Sequence, residues 1–119
     1  MKDILLVDDE SGFLMSLAEG LKGIYGANCH VFTAQNGLKA VEILKTISVD
    51  VVVTDLHMPE MDGVELIAYL KKNYPGISIV VMTAYSDTDL EKIIQNRRVK
   101  YIAEKPIDLY DIADKILAA

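Results

Sequence analysis

The stretch Val51-Val52-Val53-Thr54-Asp55 indicates the fold most clearly, because a run of β-branched residues leads directly into a carboxylate. Such a run is typical of a strand that is covered on both faces in a parallel sheet. A second, almost wholly apolar run lies at residues 77–82. Shorter strands are predicted at residues 4–7, 30–33 and, more weakly, 101–103. The chain therefore contains five predicted strands.

The segments between these strands have the spacing of amphipathic helices. Their apolar stripes are, in chain order, Leu14, Leu17, Leu21 and Ile24; Leu38, Val41 and Leu44; Val64, Ile67 and Leu70; Leu90, Ile93 and Ile94; and Leu109, Ile112, Ala113, Ile116 and Leu117. The residues suited to N-caps are Ser11, Asn36, Asp87 and Asp108, and a turn at residues 73–76 ends the third helix. Regular alternation of strand and helix implies right-handed crossovers, which give an α/β fold with a doubly wound, five-stranded parallel sheet and helices on both faces.

Composition bounds the class of protein. The chain has 119 residues, of which 51% are hydrophobic and 25% charged, so we expect one compact domain over residues 1–119. Cys29 is the single cysteine, which excludes an intrachain disulfide and fits a cytoplasmic location. The net charge of −6 argues against direct contact with nucleic acid. The N-terminal segment is typical of neither a signal peptide nor a membrane span.

Polar residues follow four of the five predicted strands. Asp8 and Asp9 follow the first strand, Asp55 the third, Thr83 the fourth and Lys105 the fifth. In an open α/β sheet, ligands bind at the carboxyl ends of the strands, near the point where the strand order reverses. We therefore expect these side chains to converge in one crevice.

This set of groups suits phosphoryl chemistry. Three carboxylates in one crevice repel one another, and hard oxygen ligands with open positions select Mg²⁺. A carboxylate beside Mg²⁺ can act as a nucleophile toward phosphorus, as in aspartyl-phosphate enzymes. Lys105 would neutralise charge on the phosphoryl oxygens, and the Thr83 hydroxyl would donate a hydrogen bond to them.

Each residue also has a purely structural interpretation. Asp8 and Asp9 could be negative charges at a helix start, where the helix dipole favours them, and Asp55 could cap a turn. Thr83 could simply end its strand, and Lys105 could be a surface charge followed by the strand-ending Pro106. The convergence of all of them at one end of the sheet favours the functional interpretation.

The sequence resembles the receiver domain of two-component response regulators (CheY-like) over essentially its whole length. The stretches that carry the resemblance are Leu5-Leu6-Val7-Asp8-Asp9-Glu10, Asp55-Leu56-His57-Met58-Pro59, Met61-Asp62-Gly63, Val81-Met82-Thr83-Ala84-Tyr85 and Glu104-Lys105-Pro106. Each stretch alone is weakly specific, but all of them in this order and spacing are highly specific. The resemblance implies a flavodoxin-like strand order of 2-1-3-4-5.

The resemblance implies a phosphoacceptor and a metal site. Asp55 resembles the residue that accepts the phosphoryl group. Asp8 and Asp9 resemble the Mg²⁺ acids, Asp9 as the more direct ligand and Asp8 partly through water. Asp55 would share the ion, and the main-chain carbonyl of His57 would be the third protein ligand.

The resemblance also implies groups that receive the phosphoryl group. Thr83 resembles the hydroxyl that switches on phosphorylation, and Ala84 resembles the small residue that leaves room for the phosphoryl oxygens. Lys105 is similar to the lysine that pairs with them, and the Lys105-Pro106 bond resembles the family's cis peptide.

Other matching positions have structural or modulating roles in the family. Pro59 and Gly63 would shape the loop after Asp55 and start the third helix. His57 and Tyr85 would tune how fast the acyl phosphate hydrolyses, although His57 could instead be a loop side chain without a part in proton transfer.

One position departs from the family pattern. The family usually has Tyr or Phe three residues before the lysine, where this chain has Ile102. Tyr101 is one residue earlier and, in an unbroken strand, points to the opposite face. We therefore predict that Thr83 engages the phosphoryl group while Tyr101 takes no part in an inward–outward switch. A bulge before Lys105 would instead return Tyr101 to the inner face.

The functional prediction is a phosphorylatable signalling switch in a two-component phosphorelay, and not an enzyme that acts on other substrates. Its partners would be a sensor histidine kinase or a histidine phosphotransfer protein. An output domain or protein would be contacted by the face formed by the fourth helix, fifth strand and fifth helix, next to the basic segment 97–100. Alternatives are a docking domain that works without phosphorylation and an aspartate-nucleophile phosphohydrolase. His57 stands where such hydrolases have a second acid, and a flavin-binding phosphate loop is missing from the sequence after the first strand.

Overall fold

A computed structural model describes residues 2–84 and 99–119 of the chain. Its strands are β1 (Lys2–Val7), β2 (Cys29–Ala34), β3 (Val51–Asp55), β4 (Ser78–Thr83) and β5 (Val99–Glu104). They form one parallel sheet in the order β2-β1-β3-β4-β5. The predicted fold class and strand order are thus confirmed, with strand ends displaced by one or two residues from the sequence-based bounds.

The helices in the described part of the chain are α1 (Ser11–Tyr25), α2 (Gly37–Leu44), α3 (Gly63–Asn73) and a C-terminal helix (Leu109–Ala118), with a short 3₁₀ turn at Gly26–Asn28. The helix predicted around Leu90, its candidate cap Asp87 and Tyr85 lie outside the described residues. None of the helices within residues 2–84 and 99–119 is both long and apolar enough to cross a membrane.

The sheet separates two apolar cores, as expected for strands covered on both faces. Leu5, Val52 and Val81 point to the side of α2 and α3. Leu6, Val53 and Met82 point to the side of α1 and the C-terminal helix. Residues 51–55 of β3 are all buried, which explains why this strand has no polar alternation and why its register is fixed on both faces.

In the described parts of the chain, each α-helix except one begins with a side-chain cap. Asn36 and Asp108 accept hydrogen bonds from the amides of Lys39 and Asp111, as predicted. The prediction of Ser11 as a cap is wrong: Ser11 is the first helical residue, and the extended residue before it is Glu10, which makes no side-chain cap bond.

A further cap was missed in the sequence. Asp62 caps α3, and Glu65 completes a capping box with it. An Asp followed three residues later by Glu was the available signal, but Met61-Asp62-Gly63 was interpreted only as a stretch that carries the family resemblance.

Among the described residues, three members of the predicted apolar stripes are exposed and do not belong to a core. Ile24, Leu38 and Leu117 are 39%, 50% and 51% exposed. Each lies in the first or last turn of its helix. Helical periodicity gives the direction of a side chain, but whether a neighbour covers it depends on the tertiary structure.

Candidate functional site

Asp55 is the last residue of the central strand β3 and is 8% exposed. Its Oδ1 atom accepts a hydrogen bond of 2.7 Å from the amide of Leu56. The strand is buried on both faces up to this point, so the carboxylate leaves the core only at its end. One carboxylate oxygen is therefore held by the backbone, and the other faces the crevice.

Gly63 allows α3 to start directly beside Asp55. Its amide donates to the carbonyl of Leu56 at 2.9 Å, and a Cβ atom at this position would meet the carbonyl oxygen of Asp55 and lie 2.7 Å from the Cα atom of Leu56. A side chain at residue 63 would therefore displace the backbone that carries Asp55. The expected role of Gly63 in shaping this loop stays a prediction.

Asp8 is buried at the end of β1, with 1% of its surface exposed. Its Oδ1 atom accepts a hydrogen bond from the amide of Glu10 at 2.9 Å, whereas Oδ2 has no hydrogen-bond partner among the described residues. Burial raises the pKa of Asp8, and the Coulombic repulsion of Asp55 and Asp9 adds to this rise. The Glu10 amide and Lys105 oppose it. Lys105 Nζ lies 3.5 Å from this oxygen without a hydrogen bond, so the buried carboxylate favours a further cation or a proton.

Three carboxylates meet at this edge of the sheet. One oxygen each from Asp8, Asp9 and Asp55 lies within 4.8 Å of the other two. Asp9 is exposed, in contrast to the other two acids. A set of three carboxylates with one exposed member fits Mg²⁺, which retains several of its waters. The incompletely satisfied Asp8 Oδ2 supports this fit.

Lys105 follows β5 and reaches into the same cluster. Its Nζ atom lies 3.0 Å from Asp55 Oδ2 and 3.5 Å from Asp8 Oδ2. Its backbone amide donates to the carbonyl of Thr83 at 2.8 Å, and the bond to Pro106 is cis, as the resemblance implied. Burial lowers the pKa of Lys105, but the two carboxylates outweigh this effect and leave the pKa raised. The lysine therefore stays charged.

Thr83 ends β4 next to Asp55, which ends β3, and is 2% exposed. Its Oγ1 atom donates to the carbonyl of Ala84 at 3.1 Å. Ala84 itself is exposed. Thr83 therefore ends the strand adjacent to that of the nucleophile candidate.

The loop after Asp55 borders an open cavity of about 310 Å³. Its lining residues are Asp9, His57, Met58, Pro59 and Asp62. The exposed His57 and Pro59 thus lie on the same opening as the exposed acid Asp9. Glu60 in this loop has a φ of 66°, a left-handed conformation that non-glycine residues adopt at a cost of about 1 kcal/mol.

The register of β5 decides the position of the aromatic side chain. From Tyr101 to Glu104 the residues pair one to one with Val80 to Thr83, and the single irregularity precedes Tyr101. Ile102 packs against the core on the side of α2 and α3, whereas Tyr101 is 37% exposed. The predicted unbroken register is confirmed, and the bulge that would turn Tyr101 inward is absent from residues 101–104.

One contact of the site was missed in the sequence. The ammonium group of Lys105 lies over the ring of Phe13, 5.6 Å from the ring centroid. Phe13 is in the first turn of α1, where the sequence shows only an apolar residue outside the predicted stripe. Nothing in the local pattern signals a contact with a residue so distant along the chain.

Comparisons with known proteins agree with this geometry. A family model described as "Response regulator receiver domain" matches residues 4–117. The transcriptional regulatory protein GlrR of Escherichia coli (strain K12) is 34% identical over 117 residues, covering 96% of this chain and 26% of GlrR. Sporulation initiation phosphotransferase F of Bacillus subtilis (strain 168) is 31% identical over 113 residues, covering 95% of this chain and 89% of that protein.

A solved structure matches over nearly the full length. The signal receiver domain of an HD domain-containing protein from Pseudomonas fluorescens Pf-5 is 26% identical, with a TM-score of 0.89 and coverage of 99% of this chain and 93% of that one. The chain spans only about a quarter of the length of the first curated relatives, which include GlrR.

Proposed function

The chain belongs to the family of response-regulator receiver domains, the signalling switches of two-component systems, and we propose that it is phosphorylated on Asp55. The observation that carries the proposal is the buried Asp55 carboxylate, which is paired with Lys105 at 3.0 Å within the cluster of Asp8 and Asp9. The donor would be a phosphohistidine on a sensor kinase or a histidine phosphotransfer protein.

The proposed reaction forms one bond and breaks one. Asp55 Oδ2 attacks phosphorus as the P–N bond to the donor imidazole breaks, and the imidazole takes up a proton from solvent. Oδ1 keeps its hydrogen bond from Leu56, which suits the carbonyl oxygen of the resulting acyl phosphate. Lys105 then neutralises charge on the phosphoryl oxygens, and the Thr83 hydroxyl donates a hydrogen bond to them. Ala84 leaves room for these oxygens.

Asp8, Asp9, Asp55 and the main-chain carbonyl of His57 would hold Mg²⁺ in this proposal. The bound ion would neutralise charge as it develops on the transferred phosphoryl group. Until then, Lys105 partly offsets the repulsion among the acids. Its contacts of 3.0 Å and 3.5 Å with two of them support this role.

The test is labelling with acetyl phosphate and Mg²⁺. We expect one phosphoryl group per chain, labile to hydroxylamine as acyl phosphates are, and no labelling of Asp55→Asn. The matched control is Asp111→Asn, which removes an exposed carboxylate on the C-terminal helix. Intact mass and Phos-tag gels are the measurements. Unchanged labelling of Asp55→Asn would show that the phosphoacceptor is misassigned.

The same labelling experiment, extended to a kinase and to added phosphomonoesters, separates the alternatives. A docking domain that works without phosphorylation would take no label from acetyl phosphate or from a kinase. An aspartate-nucleophile phosphohydrolase would turn over added phosphomonoesters, whereas a switch would release only the phosphate carried on Asp55.

The chain covers about a quarter of the length of relatives such as GlrR, so the rest of such a regulator would have to be contacted through a surface of this domain. The face proposed for output includes β5 and the C-terminal helix, on which Tyr101, Tyr110 and Leu117 are 37%, 71% and 51% exposed. Exposed aromatic residues are typical of protein contact surfaces. We propose that an output domain or protein binds this face, together with the predicted helix outside the described residues. A cytoplasmic location stays a prediction.

Amide hydrogen exchange with and without phosphorylation tests the output surface. Residues 84–102 should change more than α1 and α2. Uniform change would count against this face.

A further inference from the structure

We infer that Phe13 is a positioning residue for Lys105: its aromatic ring holds the lysine ammonium group beside Asp55. The inference rests on the proposed function, because it gives Phe13 a part in the same phosphoryl transfer. The observation is the distance of 5.6 Å between Lys105 Nζ and the centroid of the Phe13 ring. Cations within about 6 Å of a ring centroid are attracted by its negative face.

The lysine needs such support because its side chain is long and flexible. A lysine stem loses rotamer entropy when the ammonium is held in one place, and about a third of this side chain is exposed to solvent. Asp55 Oδ2 and Asp8 Oδ2 attract the ammonium, and the Phe13 ring adds an uncharged contact. Together these contacts restrict the ammonium to the end of the crevice where the phosphoryl group would arrive.

The ring itself is held by the core. Phe13 is half-buried and packs against the cluster between the sheet, α1 and the C-terminal helix. Its neighbours Ser16, Leu17, Ile107 and Leu109 line a mostly apolar cavity of about 260 Å³ with it. The cavity offers space for a larger ring, whereas an aliphatic side chain at residue 13 would fill the core and lose the contact with the cation.

An aromatic partner suits this lysine better than a third carboxylate. A carboxylate would compete with the phosphoryl oxygens for the ammonium and add negative charge to a cluster that already holds three acids. The ring attracts the ammonium through its quadrupole and leaves the lysine's full charge for the phosphoryl group. On this view, Phe13 pre-organises Lys105 without neutralising it.

The first experiment measures the contact in the unphosphorylated protein. The ring current of Phe13 should displace the NMR signals of the Lys105 ε-methylene group, and this displacement should disappear in Phe13→Leu and Phe13→Met and persist in Phe13→Trp. The matched control is Phe32→Leu, the same change at a half-buried aromatic residue that packs on the other side of the sheet. Unchanged Lys105 signals in both aliphatic variants would overturn the inference.

The second experiment measures the rate of Asp55 phosphorylation by acetyl phosphate. Phe13→Leu and Phe13→Met should lower it by about two- to five-fold, the factor that a partly exposed cation–π contact supplies. Phe13→Trp should retain the rate, and so should Phe32→Leu. In a Lys105→Ala background, Phe13→Leu should have no further effect, because Phe13 acts through the lysine. An equal effect in both backgrounds would show that Phe13 serves only the core.

The two measurements separate this inference from the proposed function. If the wild-type protein takes no label on Asp55, the proposed function fails, and the methylene signals of Lys105 still decide whether Phe13 holds the lysine. If labelling occurs and those signals do not respond to residue 13, only the role of Phe13 fails.

Discussion

Asp8 and Asp9 are adjacent in sequence, yet they differ sharply in surroundings. Asp8 is 1% exposed and lies 3.5 Å from the ammonium of Lys105, whereas Asp9 faces the open cavity beside His57. A metal ion entering from solvent would reach Asp9 first, and an ion that retains several waters binds with modest affinity.

We therefore expect weak Mg²⁺ binding without phosphate, and its loss in Asp9→Ala. Amide chemical shifts or tyrosine fluorescence during a Mg²⁺ titration are the measurements. Glu10→Ala is the control, because it removes a neighbouring exposed charge that lies outside the carboxylate cluster. Retained binding in Asp9→Ala would mean that other residues carry the ion.

Replacement of Gly63 or Gly23 with alanine adds the same methyl group, but the two substitutions should change the stability of the fold in opposite directions. Gly63→Ala should destabilise the fold by about 1–3 kcal/mol, because the new Cβ meets the backbone of Asp55 and Leu56. Gly23 lies in α1, and a Cβ atom there would have no atom within 4 Å. Gly23→Ala should therefore stabilise the fold by about 0.5–1 kcal/mol. Urea unfolding checks both signs. Equal stability of Gly63→Ala and the wild type would contradict the close approach.

At the scale of single elements, β5 decides which side chain faces Thr83. The one-to-one pairing from Tyr101 onward leaves Ile102 on the inner side and Tyr101 partly exposed. A β-strand alternates its side chains strictly, so only a bulge after Tyr101 could exchange the two. Ile102 is aliphatic and has no hydroxyl that could move between solvent and the interior.

We therefore predict that the Tyr101 ring does not move between solvent and the interior on phosphorylation, even where amide exchange in β5 changes. The ring signals of Tyr101, assigned by their loss in Tyr101→Phe, should keep their shifts when Asp55 is phosphorylated, while the amide of Thr83 moves. Tyr25 on α1 provides a reference ring far from β5 in sequence. Displacement of the Tyr101 signals on activation would restore the usual family switch.

At the scale of the whole molecule, Tyr25 joins the first helix to the last. Tyr25 is 7% exposed, and its hydroxyl donates a hydrogen bond of 2.7 Å to the carbonyl of Ala113. Burial raises the pKa of Tyr25 well above its ordinary value of 10.0, and Cys29 and Asp114 add to the rise. The neutral hydroxyl is therefore the form that the fold requires.

Tyr25→Phe should lower the free energy of unfolding by about 0.5–1.5 kcal/mol near neutral pH, where the hydrogen bond is fully present. In the wild type this contribution is complete below pH 10.0 and is lost as the pH rises further, because the unfolded chain then releases the proton that the fold retains. Stability above pH 10.0 should consequently fall less steeply in Tyr25→Phe than in the wild type. Urea unfolding on either side of this pH checks the difference, and parallel pH profiles would contradict it.

The sequence by itself determined the order of elements and the residues at the strand ends. Buried parallel strands need continuous apolar runs, so residues 51–55 were recognisable without a structure. Because the carboxyl ends of parallel strands share one edge, the convergence of Asp8, Asp55 and Lys105 followed from topology alone. These conclusions depend on the local pattern of apolar residues and on the right-handed crossovers of βαβ units, and both follow from the order of residues along the chain.

Only the tertiary structure decided contacts between residues that are distant in sequence. The ring of Phe13 over Lys105, the fit of Gly63 against Asp55 and the missing hydrogen-bond partner of Asp8 Oδ2 among the described residues have no local signal. The same holds for the exposure of Ile24, which its periodicity assigned to the core. Periodicity fixes the direction of a side chain along its own element, whereas contact and burial depend on what other elements bring within a few ångströms.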